Sequence, residues 1–260
     1  MTPSYHLVQS LIKALAILEI LADSVEGMGV TEIGERVGMN KSTVHRILTT
    51  LVHEGYVEQD HAKGRYRLSF KLFIIARKII NNLTPTRICS PFLKKLAEQT
   101  GESARFIVPD WENARLIVVD EAHTSKNIKV RSYLGESLSL SKSAAGMTFL
   151  AHLSEDEIKS IMDDKGRKIV IEDEGYSFSK LRKDLSAVRE SGFSYDQGQS
   201  GKDSICNVAA PVLDEEGKIV GVLDVFMPAF RSPKDIQAKY GKLVRDTALE
   251  VSQRLGYIPA

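Results

Sequence analysis

The stretch "VTEIGERVGMNKSTVHRILTTLVHEGYVEQD", residues 30 to 60, decides the fold of the first part of the chain. Thr31 is a good helix N-cap. Glu32 and Glu35 follow in the opening turns, where negative charge suits the dipole, and Gly38 stops the helix. Gly38-Met39-Asn40 makes a tight turn. Asn40 then caps a second helix, on which Val44, Ile47, Leu48, Leu51 and Val52 recur at three- and four-residue spacing until Gly55. Its outward residues are Lys41, Ser42, Thr43, His45, Arg46 and Thr50, concentrated at the amino end.

Upstream, residues 8 to 22 space Val8, Leu11, Leu15, Leu18 and Leu21 as one buried helical face. Downstream, "YVEQD" and "RYRLS" flank His61-Ala62-Lys63-Gly64, a hairpin signal with its glycine at the turn. The order is therefore helix, helix, turn, helix, two-stranded wing. Side chains alternate along a strand, so Arg65 and Arg67 share one face while Tyr66 and Leu68 face the core, and Lys63 sits at the tip.

This arrangement has a chemistry. The amino end of a recognition helix touches base edges and phosphates, and there Lys41, Ser42, Thr43 and His45 offer donors while Arg46 can contact guanine in two places. The wing adds Lys63, Arg65 and Arg67. Charge agrees: Arg36 to Lys78 holds nine Lys or Arg against three acids, whereas Thr84 to Ala260 holds 25 bases and 26 acids. A solvated polar face is the plain alternative. The tight Gly38 turn, hydroxyls rather than Glu/Lys pairs, and a basic hairpin directly afterwards favour a reader of double-stranded DNA.

"FKLFIIARKIINNL", residues 70 to 83, reads as a helix apolar on more than one side, to be buried against a partner subunit or the next domain. Asn81-Asn82 and Pro85 break it, which sets the expected domains at 8–69, a linker helix at 70–84, and 85–260. Beyond the break the pattern predicts a helix from about Thr86 to Gln99, strands "RFIVP", "RLIVVDEA" and "IKVRSY", and a helix opening near Ala144. Ser154 and Glu157 form a capping box. Leu181, Leu185 and Val188 mark another helix. Strands "FSYD", "NVAAPVLD" and "KIVGVLDVF" follow, and the closing helix has Ser232 as cap and Pro233 at its first position. The expected class is α+β in two domains, with helices packed on one central sheet.

Composition excludes other classes. The 260 residues are 43% hydrophobic and 27% charged with net charge +1, ordinary values for globular domains. No window approaches the roughly eighteen uninterrupted apolar residues of a membrane span, and the start lacks a secretion signal, so a cytoplasmic setting is expected. Cys89 and Cys206 lie far apart, without a disulfide framework or a metal-ligand spacing. No Gly-x-Ser-x-Gly, phosphate-binding glycine loop or histidine motif occurs, so no catalytic residues, metal or cofactor are expected. An apolar setting also argues against Cys206 as a redox sensor.

In the second domain, Ser143-Ala144-Ala145-Gly146 opens a helix with small residues. Uncovered backbone N–H groups there can hold a carboxylate, and small residues can equally serve only close packing.

"ALAILEILA", the stretch quoted first and "GRYRLSFKL" resemble the winged helix-turn-helix of the IclR family of bacterial transcription regulators. "LSKSAAGMTFLAHLSEDE", "VRESGFSYDQGQSGKDSICNVAAPV" and "EEGKIVGVLDV" resemble that family's effector domain in order and spacing. The resemblance covers nearly the whole chain. It implies a DNA-binding homodimer or dimer of dimers, repressor or activator of a catabolic operon, with a GAF-like sensor domain built on an antiparallel sheet. It further implies that the helix at 70–83 pairs with its mate, and that the effector sits on the turn Ser143, Ala144, Ala145, Gly146 and Met147 with contacts mapping onto Asp196, Cys206, Leu223 and Val225. Family members commonly carry lysine where this chain has Met147, and Lys142 lies at a different phase of the turn. Relatives that recognise very small keto acids have serines at the two strand positions. Leu223 and Val225 instead predict a carboxylate with an apolar or aromatic body, over which Trp111 can close. A small keto acid or sugar acid, or a nonspecific DNA-binding protein without effector, are the rival readings.

Overall fold

The computed structural model describes residues 7–60, 64–82, 84–138, 140, 143–163, 178–198 and 205–259. Lys63 and Lys142 lie outside these. The chain divides into two compact units, 1–79 and 80–260.

The first unit runs α1 (Gln9–Ala22), β1 (Met28–Gly29), α2 (Val30–Val37), α3 (Lys41–His53), β2 (Val57–Asp60), β3 (Arg65–Leu68) and the start of α4 (Lys71–Asn82). Its three-stranded antiparallel sheet has the order β1-β3-β2. Ile17, Leu21, Met28, Ile33, Val44, Leu48, Leu51, Val57 and Tyr66 form one core. Helix α2 ends on Gly38, whose φ of 64° is left-handed and suits only glycine without strain. Helix α3 follows at once, with the Asn40 side chain accepting a hydrogen bond from the Thr43 N–H.

Two expectations change here. Thr31 is not the N-cap of α2: Gly29 is, because the backbone passes straight from β1 into the helix. The apolar row of α1 is not one buried face. Ile17 and Leu21 enter the core, whereas Val8, Leu11 and Leu15 are 62%, 58% and 51% exposed. The helix carries apolar residues on two sides and the helix-turn-helix core takes one of them. On α4, Phe73 and Ile74 are likewise exposed.

The second unit runs α5 (Thr84–Thr100), β4 (Ser103–Asp110), β5 (Arg115–Ala122), β6 (Ser137–Leu138), α6 (Ala144–Ala151), α7 (Glu155–Asp163), α8 (Phe178–Ser191), β7 (Ser194–Asp196), β8 (Ile205–Leu213), β9 (Ile219–Pro228) and α9 (Lys242–Arg254). Six antiparallel strands make one sheet in the order β6-β5-β4-β9-β8-β7. Helices α5 and α9 cover one face through Leu93, Leu96, Val244 and Val251, which pack with Ala104, Phe106, Cys206, Val208, Leu223 and Val225. Helices α6, α7 and α8 cover the other through Ala144, Ala145, Phe149, Ile158, Leu181 and Leu185, which pack with Ile107, Val118, Ala209 and Val222. The α+β reading holds, with the sheet as the middle layer of three. The capping box also holds: the Glu157 carboxylate accepts from the Ser154 N–H, and the Ser154 hydroxyl accepts from the Glu157 N–H. Those bonds keep the Glu157 carboxyl below its ordinary pKa.

Two elements differ from expectation. "IKVRSY", residues 128–133, is not a strand. Side chains hold it in place of a ladder: the Glu121 carboxylate accepts from the Tyr133 N–H and the Ser132 hydroxyl, and Arg231 donates to the Ile128 carbonyl. The pairing with β5 falls instead to Ser137–Leu138. At the carboxyl end, Asp235 rather than Ser232 caps the closing helix, accepting from the Ala238 N–H, and a π-helical stretch Gln237–Gly241 leads into α9.

Candidate functional site: a DNA-reading surface and a buried polar pair

The candidate DNA-reading surface begins at Asn40. Its Oδ1 accepts from the Thr43 N–H and from the Ser42 hydroxyl, both at 2.9 Å, so one side chain fixes the first turn of α3. Lys41, Ser42, His45 and Arg46 are exposed around that turn and Thr43 is half-buried. Thr49 and Thr50 return their hydroxyls to the His45 and Arg46 carbonyls. Thr43, Arg46, Ile47 and Thr50 line a groove of about 290 Å³ together with Ser10 and Lys13 of α1. Sequence reasoning missed Ser10 and Lys13, because α1 was assigned wholly to packing.

The wing arginines are not equivalent. Arg65 donates to the carbonyls of Glu26 and Gly27 and pairs with Glu32 at 3.4 Å, so its guanidinium ties β3 to the loop before α2. Arg67 pairs across the hairpin with Glu58 at 3.2 Å and stays exposed. Alternation puts both on one strand face, yet the local acceptors make Arg65 a tether.

In the second unit, Ser143 caps α6 by accepting from the Gly146 N–H at 3.0 Å, and Ala144, Ala145 and Gly146 are buried. The helix is fixed to the sheet by hydroxyls. Thr148 donates to the Ala209 carbonyl on β8 and lies 2.7 Å from the Ser194 hydroxyl, which donates to the Ala144 carbonyl. Trp111 packs against Phe149 of the same helix, ring centroids 5.2 Å apart.

Side-chain phase on the strands corrects the expected contact set. Cys206, Leu223 and Val225 point away from α6 and belong to the core under α5 and α9. Asn207, Asp224 and Phe226 take the opposite face, the one α6 covers, because successive strand side chains alternate. Asp196 shares that face through its register with Asn207, and its Oδ1 accepts from the Gly198 N–H. The structure therefore brings Ser143 to Met147 and Asp196 to one side of the sheet and leaves Cys206, Leu223 and Val225 on the other.

What stands in their place is a buried charge pair. Arg105 on β4 lies directly opposite Asp224 on β9 in the register, and its Nη2 donates to Asp224 Oδ2 at 3.0 Å. The side chains are 5% and 0% exposed. Asn207 donates to the same carboxylate oxygen at 3.1 Å. The guanidinium lies 4.6 Å from the Phe226 ring centroid and 5.2 Å from that of Tyr133, and the two rings meet edge to face. Ion pairs this deep persist only with good geometry and further hydrogen bonds. A readable signal existed: Asp224 is the one charge in β9, and Arg105 interrupts the apolar run from Ala104 to Val108 in β4.

The cysteines carry no comparable chemistry. Both are buried and unpaired, and burial pushes the Cys89 thiol up, away from the reactive thiolate. Among the described residues no group of three or more His, Cys, Asp or Glu side chains is placed to hold a metal ion, and no helix is long and apolar enough to cross a membrane.

Comparison with known proteins gives two family matches: the IclR helix-turn-helix domain over residues 10–61, and the C-terminal domain of IclR bacterial transcriptional regulators over residues 78–253. The chain is 29% identical over 249 residues to the acetate operon repressor of Salmonella typhimurium, covering 96% of this chain and 90% of that protein. Among solved structures, Thermotoga maritima IclR superposes with a TM-score of 0.79 at 23% identity, over 95% of this chain and 99% of the other. An IclR homologue from Microbacterium hydrocarbonoxydans complexed with 4-hydroxybenzoate superposes with a TM-score of 0.73 at 16% identity, again over 95% and 99%.

Proposed function

The chain belongs to the IclR family of bacterial transcription regulators, and from that premise we propose that it binds a DNA operator through α3 and the wing and changes its affinity when a small carboxylate occupies the second domain. The observation that carries the DNA half is the cluster of exposed polar side chains Lys41, Ser42, His45 and Arg46 on a turn fixed by Asn40. Arg46 reads a base, Lys41 and Thr43 contact phosphate, and Lys63 and Arg67 reach the backbone from the wing. Lys13, beside Arg46 in the same groove, adds a phosphate contact.

The division of labour proposed is a DNA-binding domain at 8–69, a linker helix at 70–84 and an effector domain from 85. The exposed apolar residues of α1 and α4 support a homodimer formed through the DNA-binding half. Such a dimer addresses a two-fold operator, in the cytoplasm, where relatives such as the acetate operon repressor suggest control of a catabolic operon.

For the effector, the first turn of α6 offers the Ala144 and Ala145 amide N–H groups and the helix dipole to a carboxylate, the Gly146 N–H being held by Ser143. The apolar or aromatic body first expected from Leu223 and Val225 now rests on Phe226, Tyr133, Phe149 and Trp111, which lie on the α6 side. The solved homologue with 4-hydroxybenzoate carries a ligand of this kind.

The test of the DNA reading is a pair of substitutions. Arg46→Ala should cost about 1–3 kcal/mol on the preferred duplex and relax base preference at one position. Lys63→Ala should weaken all sequences alike and lower the salt slope. Equal losses across sequences for Arg46→Ala, read by fluorescence anisotropy, would remove its role as base reader.

A further inference from the structure

Arg105 Nε and Asp224 Oδ1 are buried and have no hydrogen-bond partner among the described residues. They belong to the same ion pair, one an unused donor and the other an unused acceptor. A buried polar group without a partner costs stability, so an orphaned pair of complementary atoms is a place built for something else. Charge narrows the choice. The guanidinium already balances the Asp224 carboxylate, so a further full charge there would be uncompensated. A neutral hydroxyl satisfies both atoms at once: its oxygen accepts from Nε–H and its hydrogen is donated to Oδ1.

The sheet register sets Asp224 apart from Ser194, the residue on which the first turn of α6 is anchored. Glu121, Arg105, Asp224, Ala209 and Ser194 occupy one rung across five strands. The Ser194 end of that rung holds the Ala144 carbonyl in the first turn of α6. Asp224 is two strands away, about 10 Å at ordinary strand spacing. Tyr133 and Phe226 flank the guanidinium and give an aromatic wall.

We propose that the effector is a carboxylic acid bearing a hydroxyl at its far end, across an aromatic or extended apolar body, with the carboxylate on the first turn of α6 and the hydroxyl on Arg105 and Asp224. The assignment rests on the reading of α6 as the carboxylate site. It excludes α-hydroxy acids such as lactate, whose hydroxyl lies beside the carboxylate and cannot span the rung.

The experiment is calorimetric titration of the full chain with matched acids: benzoate against 4-hydroxybenzoate, and phenylacetate against 4-hydroxyphenylacetate, with lactate as control. In at least one pair the hydroxylated member should bind at least about tenfold more tightly than its parent, and lactate should not bind. In the double variant Arg105→Met, Asp224→Leu, which replaces both charges by apolar groups, that preference should vanish while parent acids still bind. If the variant does not fold, the wild-type pairs decide alone. Equal binding of both members of every pair overturns the hydroxyl assignment and leaves the α6 reading standing, the two atoms then being served by trapped water. Tighter binding of lactate also overturns it. Binding by none of the acids overturns both readings together.

Discussion

Gly34 lies where helix α2 meets the turn, and a Cβ added there would stand 2.7 Å from the Met39 carbonyl oxygen. Backbone cannot step aside as a flexible side chain can. The Gly34→Ala protein should therefore lose about 1–3 kcal/mol of stability despite the better helix propensity of alanine, measured by urea unfolding. An unchanged midpoint would show that the turn relaxes freely. The same scale explains which residues could be read from sequence. Helix α3 was legible because its polar and apolar residues separate by period, so Val44, Leu48 and Leu51 went inward and Lys41 and Arg46 outward. Strand β9 was not, because "IVGVLDVFM" is buried on both faces and has no alternation to set its phase. One residue of slip exchanged Leu223 and Val225 for Asp224 and Phe226, and Cys206 for Asn207. The lone charge at Asp224 is the mark that sets the phase correctly, since a buried carboxylate needs its partner on the same face.

Helix α3 depends on a single cap. Asn40→Ala removes the acceptor for the Thr43 N–H and the Ser42 hydroxyl and should cost about 1 kcal/mol, while Asn40→Asp should restore most of it. Because those bonds also orient Ser42, operator affinity should fall by more than the stability loss alone would produce; anisotropy on duplex DNA at fixed salt reads this directly. Element boundaries were legible at Asn40 and at the Ser154 to Glu157 box, where the cap is local and its side chain bonds the helix it opens. They failed where distant groups decide. Residues 128–133 have the alternation of a strand, yet Glu121 and Arg231 satisfy their backbone from the side. Helix α1 has a second apolar stripe that no residue of the single chain's first core covers, and sequence periodicity alone could not say which stripe goes inward.

At the scale of the whole molecule, a ligand changes DNA affinity only if it favours one arrangement of the DNA-binding domains over another. Helix α4 is the covalent path between the two units, and coupling of this kind is reciprocal: DNA must change ligand affinity by the same factor. The two-domain organisation was visible from the basic stretch 36–78, the break at Asn81-Asn82 and Pro85 and the balanced remainder, whereas the strand face that α6 covers was not. The most direct test of the account is the affinity of the full chain for a duplex recovered by selection from random sequence, titrated with and without the acid that binds most tightly. The account predicts preference over a scrambled duplex by about a thousandfold or more at the same salt, and a shift of about 5- to 150-fold on saturation with the acid. No preferred duplex, or an affinity unmoved by a saturating ligand, would contradict it.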